Sequence, residues 1–177
     1  MEKEFICGGE KYEVYGDNLG IGLVVNLGGL PEKVKVRDTN FYLPAPYHVT
    51  LFYLERYTKI YEIQTLNFKS EIIKDFCEFV KTNEIKFLKY KNEYRIVQRS
   101  DRPDKEPKVS IIVMCEVANL NNFFDLVNEK YGLNIKYPVP HVTLYNTLKG
   151  EPGWYLLDIE DLKTYTTFIE NPIDRML

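Results

Sequence analysis

The chain has 177 residues, long enough to bury a useful core without staples. Its 45% hydrophobic and 28% charged content is that of an ordinary folded globule, with no low-complexity tract and no apolar run of the roughly 18 residues a membrane span needs. A net charge of −3 argues against a general nucleic-acid coat protein but leaves room for a small nucleotide ligand in a locally positive cleft. Cys7, Cys77 and Cys115 are odd in number and widely spaced, so they read as reduced thiols of a cytoplasmic protein. The opening Met1-Glu2-Lys3-Glu4 is charged and does not read as a signal peptide.

In chain order, residues 4–15 predict a hairpin, with Gly8-Gly9-Glu10 between Phe5-Ile6-Cys7 and Tyr12-Glu13-Val14-Tyr15. Gly16-Asp17-Asn18 reads as a second turn, and Ile21 to Leu27 as a buried central strand. Gly20, Gly22, Gly28 and Gly29 make no phosphate-binding fingerprint, because no helix of the right pattern follows. Residues 32–46 read as a short strand or irregular loop, and Tyr47 to Leu54 as a strand. Asn67 to Thr82 is the clearest helix: Ile72, Ile73, Phe76, Phe79 and Val80 form one stripe, with Asn67 or Ser70 as cap. Two strands, Ile85 to Tyr90 and Tyr94 to Gln98, are expected around Lys91-Asn92-Glu93, then a polar loop over 100–108. Val109 to Val117 reads as a second central strand, and Asn119 to Tyr131 as a second helix stopped by Gly132. Trp154 to Phe168 is expected to add one or two strands. The fold class this implies is α+β: one domain over 1–177, with antiparallel sheet in two lobes and helices outside.

One phrase occurs twice: His48-Val49-Thr50-Leu51 and His141-Val142-Thr143-Leu144. These are the only two histidines in the chain. Ser and Thr number 13 of 177, so chance would put one of them two positions after both histidines about 0.5% of the time. On a strand, positions i and i+2 share a face. His48 and Thr50 then point one way while Val49 and Leu51 anchor the strand in the core, and the second phrase repeats the arrangement. Two such faces set opposite one another suit a phosphodiester. One neutral imidazole takes a proton from the attacking group, and the other, protonated, gives one to the leaving oxygen. A reference pKa near 6.5 allows both states near neutrality. The threonine hydroxyls can donate to non-bridging oxygens. No Cys or Asp/Glu cluster accompanies the histidines at ligand spacing, so neither a metal nor a cofactor is expected.

Two H-x-T phrases on strands in a chain of this size resemble the 2H phosphoesterase superfamily, which includes bacterial 2′–5′ RNA ligase-like proteins, cyclic phosphodiesterases and viral 2′,5′-phosphodiesterases. The resemblance runs from about Ile21 to Tyr145 and rests on His48, Thr50, His141 and Thr143 with the apolar residues around them. It implies two related α+β lobes flanking a central cleft, one motif per lobe. It also implies metal-independent chemistry on 2′,3′-cyclic phosphates or 2′–5′ linkages, with His48 and His141 catalytic and Thr50 and Thr143 binding phosphate. Phe52-Tyr53-Leu54-Glu55 stands where RNA ligase-like members carry a glycine, and Tyr145-Asn146 where they often carry arginine. These departures point to a divergent RNA-repair branch or a phage-type nuclease that degrades cyclic oligonucleotide immune signals; a non-catalytic module that binds nucleotides or RNA ends is the alternative.

Strand alternation places Phe52 and Tyr145 on the catalytic face as candidates for stacking on a base. Residues 86–108 hold eight Lys and Arg against four Asp and Glu, a net of +4, which suits a phosphate-bearing ligand. Arg95 and Arg99 share one face there and are the candidates for phosphate contact. The expected partners are RNA ends or small, possibly cyclic, oligonucleotides; the protein is expected to be a monomer without protein partners.

Overall fold

The structure is a computed structural model that describes residues 3–7, 9–15, 20–44, 47–62, 67–99, 108–151 and 153–173. The turn expected at Gly16-Asp17-Asn18, the loop over 100–107, and Gly8 and Pro46 lie outside the described residues. The architecture is α+β, with ten strands and four helices among the described residues. The strands are β1 (Lys3–Cys7), β2 (Glu10–Tyr15), β3 (Gly20–Val24), β4 (Lys33–Val36), β5 (Thr39–Tyr42), β6 (His48–Phe52), β7 (Lys86–Gln98), β8 (Val109–Ala118), β9 (His141–Asn146) and β10 (Thr166–Ile169). The helices are α1 (Leu54–Ile60), α2 (Phe68–Thr82), α3 (Leu120–Tyr131) and α4 (Ile159–Tyr165). The sheet runs β1-β2-β3-β6-β9-β8-β7-β10, antiparallel throughout, with the β4–β5 hairpin attached to β9. No helix among the described residues is long and apolar enough to cross a membrane.

One sheet face carries the main core. Phe76 and Phe79 of α2 and Phe123 and Phe124 of α3 pack there against Val49, Leu51, Val142 and Leu144. Burying each such side chain contributes on the order of 1.5–3 kcal/mol. Among the described residues, the opposite face is covered on the side of β8 and β7, where Leu156 and Leu162 meet Val97, Ile112 and Met114.

Four elements differ from expectation. Residues 33–42 form the β4–β5 hairpin, turned by Arg37 at φ 55°. Leu54 and Tyr57, one turn apart, bury one side of α1, and a Lys59–Glu55 pair at 2.7 Å lies on its surface. β7 is one strand rather than two: Asn92 at φ 49° bends it, and the register on β8 shifts between Tyr90 and Tyr94. The tail is a helix before it is a strand. Asp158 caps α4 by accepting from the backbone N–H groups of Glu160 and Asp161, with acidic residues in its first turn.

The motif strands β6 and β9 are neighbours, joined at a single pairing, Val49 opposite Val142. Each carries a bulge at the leucine that closes its phrase. On β6, Thr50 faces Gly22 and Phe52 faces Ile21, so Leu51 has no partner of its own on β3. On β9, Thr143 faces Ile112 and Tyr145 faces Ile111, which leaves Leu144 extra. A bulge reverses the alternation that follows it. Phe52 and Tyr145 therefore turn away from the threonines, contrary to expectation, and both are 0% exposed in the helix-side core. Phe52 packs on Tyr57, Phe123 and Phe124 at centroid distances of 4.7, 6.0 and 5.1 Å. Phe52→Ala is expected to lower stability by about 3–5 kcal/mol in equilibrium urea unfolding; a loss below about 1 kcal/mol would contradict this placement.

Candidate active site

Extending the Val49–Val142 pairing by one residue each way sets His48 beside Thr143 and Thr50 beside His141. All four side chains then share one face, and the two histidines form a diagonal pair, for which Cα separations run about 7–8 Å and Cβ separations somewhat less. Charge on the His48 ring opposes protonation of His141. The two phrases thus meet as one cluster of two imidazoles and two hydroxyls, arranged head to tail.

Around His48 the sequence reading missed two residues, Glu13 and Tyr15. Both lie on β2 and reach the site across β3, where they pair with Gly22 and Gly20. The Glu13 carboxylate, 3% exposed, brings Oε1 to 2.7 Å from His48 Nδ1. The approach is out of line with the ring N–H, and neither atom has an aligned hydrogen bond to a described group, so the contact becomes an ion pair only when His48 carries a proton. A Cβ on Gly22 would stand 3.2 Å from both that oxygen and His48 Cγ. Tyr15 stacks on the His48 ring, centroids 4.8 Å apart and planes 20° apart, and its hydroxyl donates to Thr50 Oγ1 at 3.3 Å. Burial holds the Tyr15 phenol far above its usual range, so it stays protonated. A Cβ on Gly20 would fall inside that phenol. Glycines two apart on one strand strip one face bare; that spacing was the available signal.

His141 is held differently. Its Nδ1 lies 2.7 Å from the Val139 carbonyl oxygen and its Nε2 lies 2.9 Å from that of Trp154. A neutral imidazole has one N–H and one lone pair, so it satisfies only one of these oxygens. Burial pushes the His141 pKa down from 6.5; the two carbonyls pull it up and His48 adds to the lowering. The strap Gly153–Leu157 crosses this part of the site, and a Cβ on Gly153 would fall inside the Thr143 hydroxyl. His141 is only 5% exposed, while the His48 side chain is 18% exposed.

The two arginines are committed elsewhere. Arg95 Nε donates to Glu93 at 2.6 Å, its Nη1 donates to Thr166 at 2.9 Å, and the guanidinium lies over Phe168 at 3.6 Å. Arg99 pairs with Asp161 at 3.1 Å, donates to the Tyr155 carbonyl at 3.4 Å, and lies over Tyr165 at 4.2 Å. Both hold the tail against β7 and are not offered to a phosphate; sequence distance hid these partners. Arg102 and Lys105 lie outside the described residues. Cys115 faces the helix-side core with its thiol pushed up to about 12 by burial, which leaves no thiolate for nucleophilic attack. Among the described residues, no group of three or more His, Cys, Asp or Glu is placed to hold a metal ion.

Comparison with known proteins gives no match to a family model, a curated sequence or a solved structure.

Because His141 has a lowered pKa, the unfolded chain binds the extra proton more readily, and stability falls as pH drops below about 6.5. The urea midpoint of the wild type is expected to decline between about pH 7.5 and 5.5 more steeply than that of His141→Asn; equal slopes would show that His141 titrates normally.

Proposed function

We propose that the chain is a metal-independent phosphodiesterase of the 2H type, acting on 2′,3′-cyclic phosphates or on 2′–5′ or 3′–5′ linkages of RNA or small oligonucleotides. The observation that carries this reading is the register that sets His48, Thr50, Thr143 and His141 as a square on one face of β6 and β9. Two further features support it. β6 and β9 meet at one pairing only, which divides the sheet into a β1-β2-β3-β6 part and a β9-β8-β7-β10 part like the two lobes of the family. The same bulge, at the same residue of each phrase, marks the parts as related.

The surroundings of the two rings suggest different roles. Glu13 gives the charge that develops on His48, when it accepts a proton, a counter-ion at 2.7 Å. His48 is therefore the base that takes the proton of water or of a ribose hydroxyl. His141 has no carboxylate partner among its charge contacts, and burial makes it release a proton easily, so it is the donor to the leaving oxygen. Thr50 and Thr143 donate to the non-bridging oxygens, where negative charge gathers in the transition state. RNA ends or small cyclic oligonucleotides are the partners that this reading names, in the cytoplasm and with the protein as a monomer. The covered state of His141 favours a second reading, a nucleotide-binding module without turnover.

A panel of 2′,3′-cyclic mononucleotides, 2′–5′ oligoadenylate and cyclic di- and trinucleotides, read by product mass, tests both. At least one member is expected to be cleaved with EDTA present, and His48→Ala and His141→Ala are each expected to slow that reaction by about 10²–10⁴-fold. Binding without cleavage of any member would favour the second reading, and inhibition by EDTA would rule out the metal-free mechanism. Because one ring must be neutral while the other carries a proton, kcat/KM is expected to fall at acid pH, where both rings are protonated, and again at alkaline pH, where neither is; a rate that only levels off on the alkaline side would contradict acid catalysis by a histidine.

A further inference from the structure

The strap meets the site at three points, each where a part of a nucleotide would sit. The Trp154 carbonyl oxygen faces His141 Nε2 at 2.9 Å, on the nitrogen that would otherwise face a leaving oxygen. Gly153 lies flush on Thr143, one of the two hydroxyls assigned to phosphate. The Tyr155 ring lies edge-on to Tyr53 and Tyr57, with centroids at 5.5 and 6.1 Å, and its hydroxyl meets that of Tyr57 at 2.9 Å. Tyr15, the ring stacked on His48, is close enough to act on Tyr155 electrostatically. Tyr155 therefore fills an aromatic slot that runs from the helix-side core, where Tyr57 is buried, to within electrostatic reach of Tyr15, with a polar group at its end.

We propose that Gly153-Trp154-Tyr155 is a built-in occupant of the substrate groove: the Trp154 carbonyl stands where a phosphate oxygen binds and the Tyr155 phenol where a nucleobase binds. It rests on the phosphodiesterase reading and adds the base subsite, formed by Tyr53 and Tyr57, and a means of closing the site. The contact with His141 is the weak point of the latch. A neutral His141 cannot donate to both Val139 and Trp154, and Val139, two residues away on the same chain, keeps the local bond. The anchor lies beyond the occupant, where Leu156 is buried beside Leu162 and Leu157 N–H donates to Asp161. Lifting residues 153–155 also releases the Trp154 Nε1–H, which donates to the Lys108 carbonyl at 3.0 Å, and the Tyr155 carbonyl, which accepts from Arg99 at 3.4 Å, while Leu156 and Leu157 stay. Closure lowers the apparent affinity for substrate in proportion to the open fraction.

Gly153→Ala tests this in the full-length protein. The added Cβ would stand 2.7 Å from Thr143 Cβ, which the strand backbone fixes, so the strap has to lift. With only two histidines in the chain, diethyl pyrocarbonate acylation followed by peptide mass reads His141 cover without any turnover. In the wild type His141 is expected to react more slowly than His48, and in Gly153→Ala its rate should increase about tenfold or more. Calorimetry with adenosine 2′-monophosphate should show binding about tenfold tighter than in the wild type, by the population argument above. Tyr155→Ala, which empties the base slot alone, should tighten the nucleotide but leave inorganic phosphate unchanged. His141 as protected in Gly153→Ala as in the wild type, or exposed with no gain in nucleotide affinity, would overturn the proposal. Tight nucleotide binding by Gly153→Ala without cleavage of any panel member would overturn the phosphodiesterase reading and leave the occupant in place.

Discussion

The pairing of Val49 with Val142 is a single rung between β6 and β9, and the candidate site depends on it. A slip of one residue on either strand would send a histidine and a threonine into the helix-side core and bring Val and Leu to the open face. The register is fixed from below: Val49, Leu51, Val142 and Leu144 are all fully buried against the aromatic residues of α2 and α3. Each phrase thus does two jobs with alternate residues. The apolar pair sets the height and direction of the strand, and the polar pair inherits that precision without any contact of its own to the core. The bulge that follows ends the alternation, so the open face receives only the imidazole and the hydroxyl from each phrase.

The site is built as much by missing side chains as by present ones. Gly22 and Gly20 leave β3 bare, which lets Glu13 and Tyr15 lean from β2 to His48 and Thr50. Gly153 leaves the strap bare where it crosses Thr143. The result is asymmetric, although the phrases are identical. One histidine has a buried carboxylate and a stacked phenol; the other has two carbonyl oxygens and no counter-ion among its contacts. Burying Glu13 Oε1 without an aligned hydrogen bond is unfavourable, and the contact with His48 offsets that cost when the ring takes up a proton.

The phrases, the central strands and the two long helices were legible because they depend on local alternation and on helical stripes. The side on which Phe52 and Tyr145 fall was not. A bulge arises where one strand carries a residue more than its partner, and the partner is remote in sequence. Arg95 and Arg99 looked like free cations for the same reason: Thr166, Phe168, Asp161 and Tyr155 come from the tail. Other features were written locally and passed over. Asp158 with two acidic residues behind it is a helix start, and Leu54 and Tyr57 are one turn apart. Gly20 and Gly22, dismissed as a phosphate loop, were a bare strip awaiting neighbours.

The central claim is that the two imidazoles serve one phosphate. With only two histidines, 15N-imidazole NMR during titration with inorganic phosphate addresses it directly. The account predicts that both rings shift together along one saturation curve, and that the shift of each is lost when the other histidine is replaced by alanine. A response confined to one ring, or two curves with separate affinities, would contradict it.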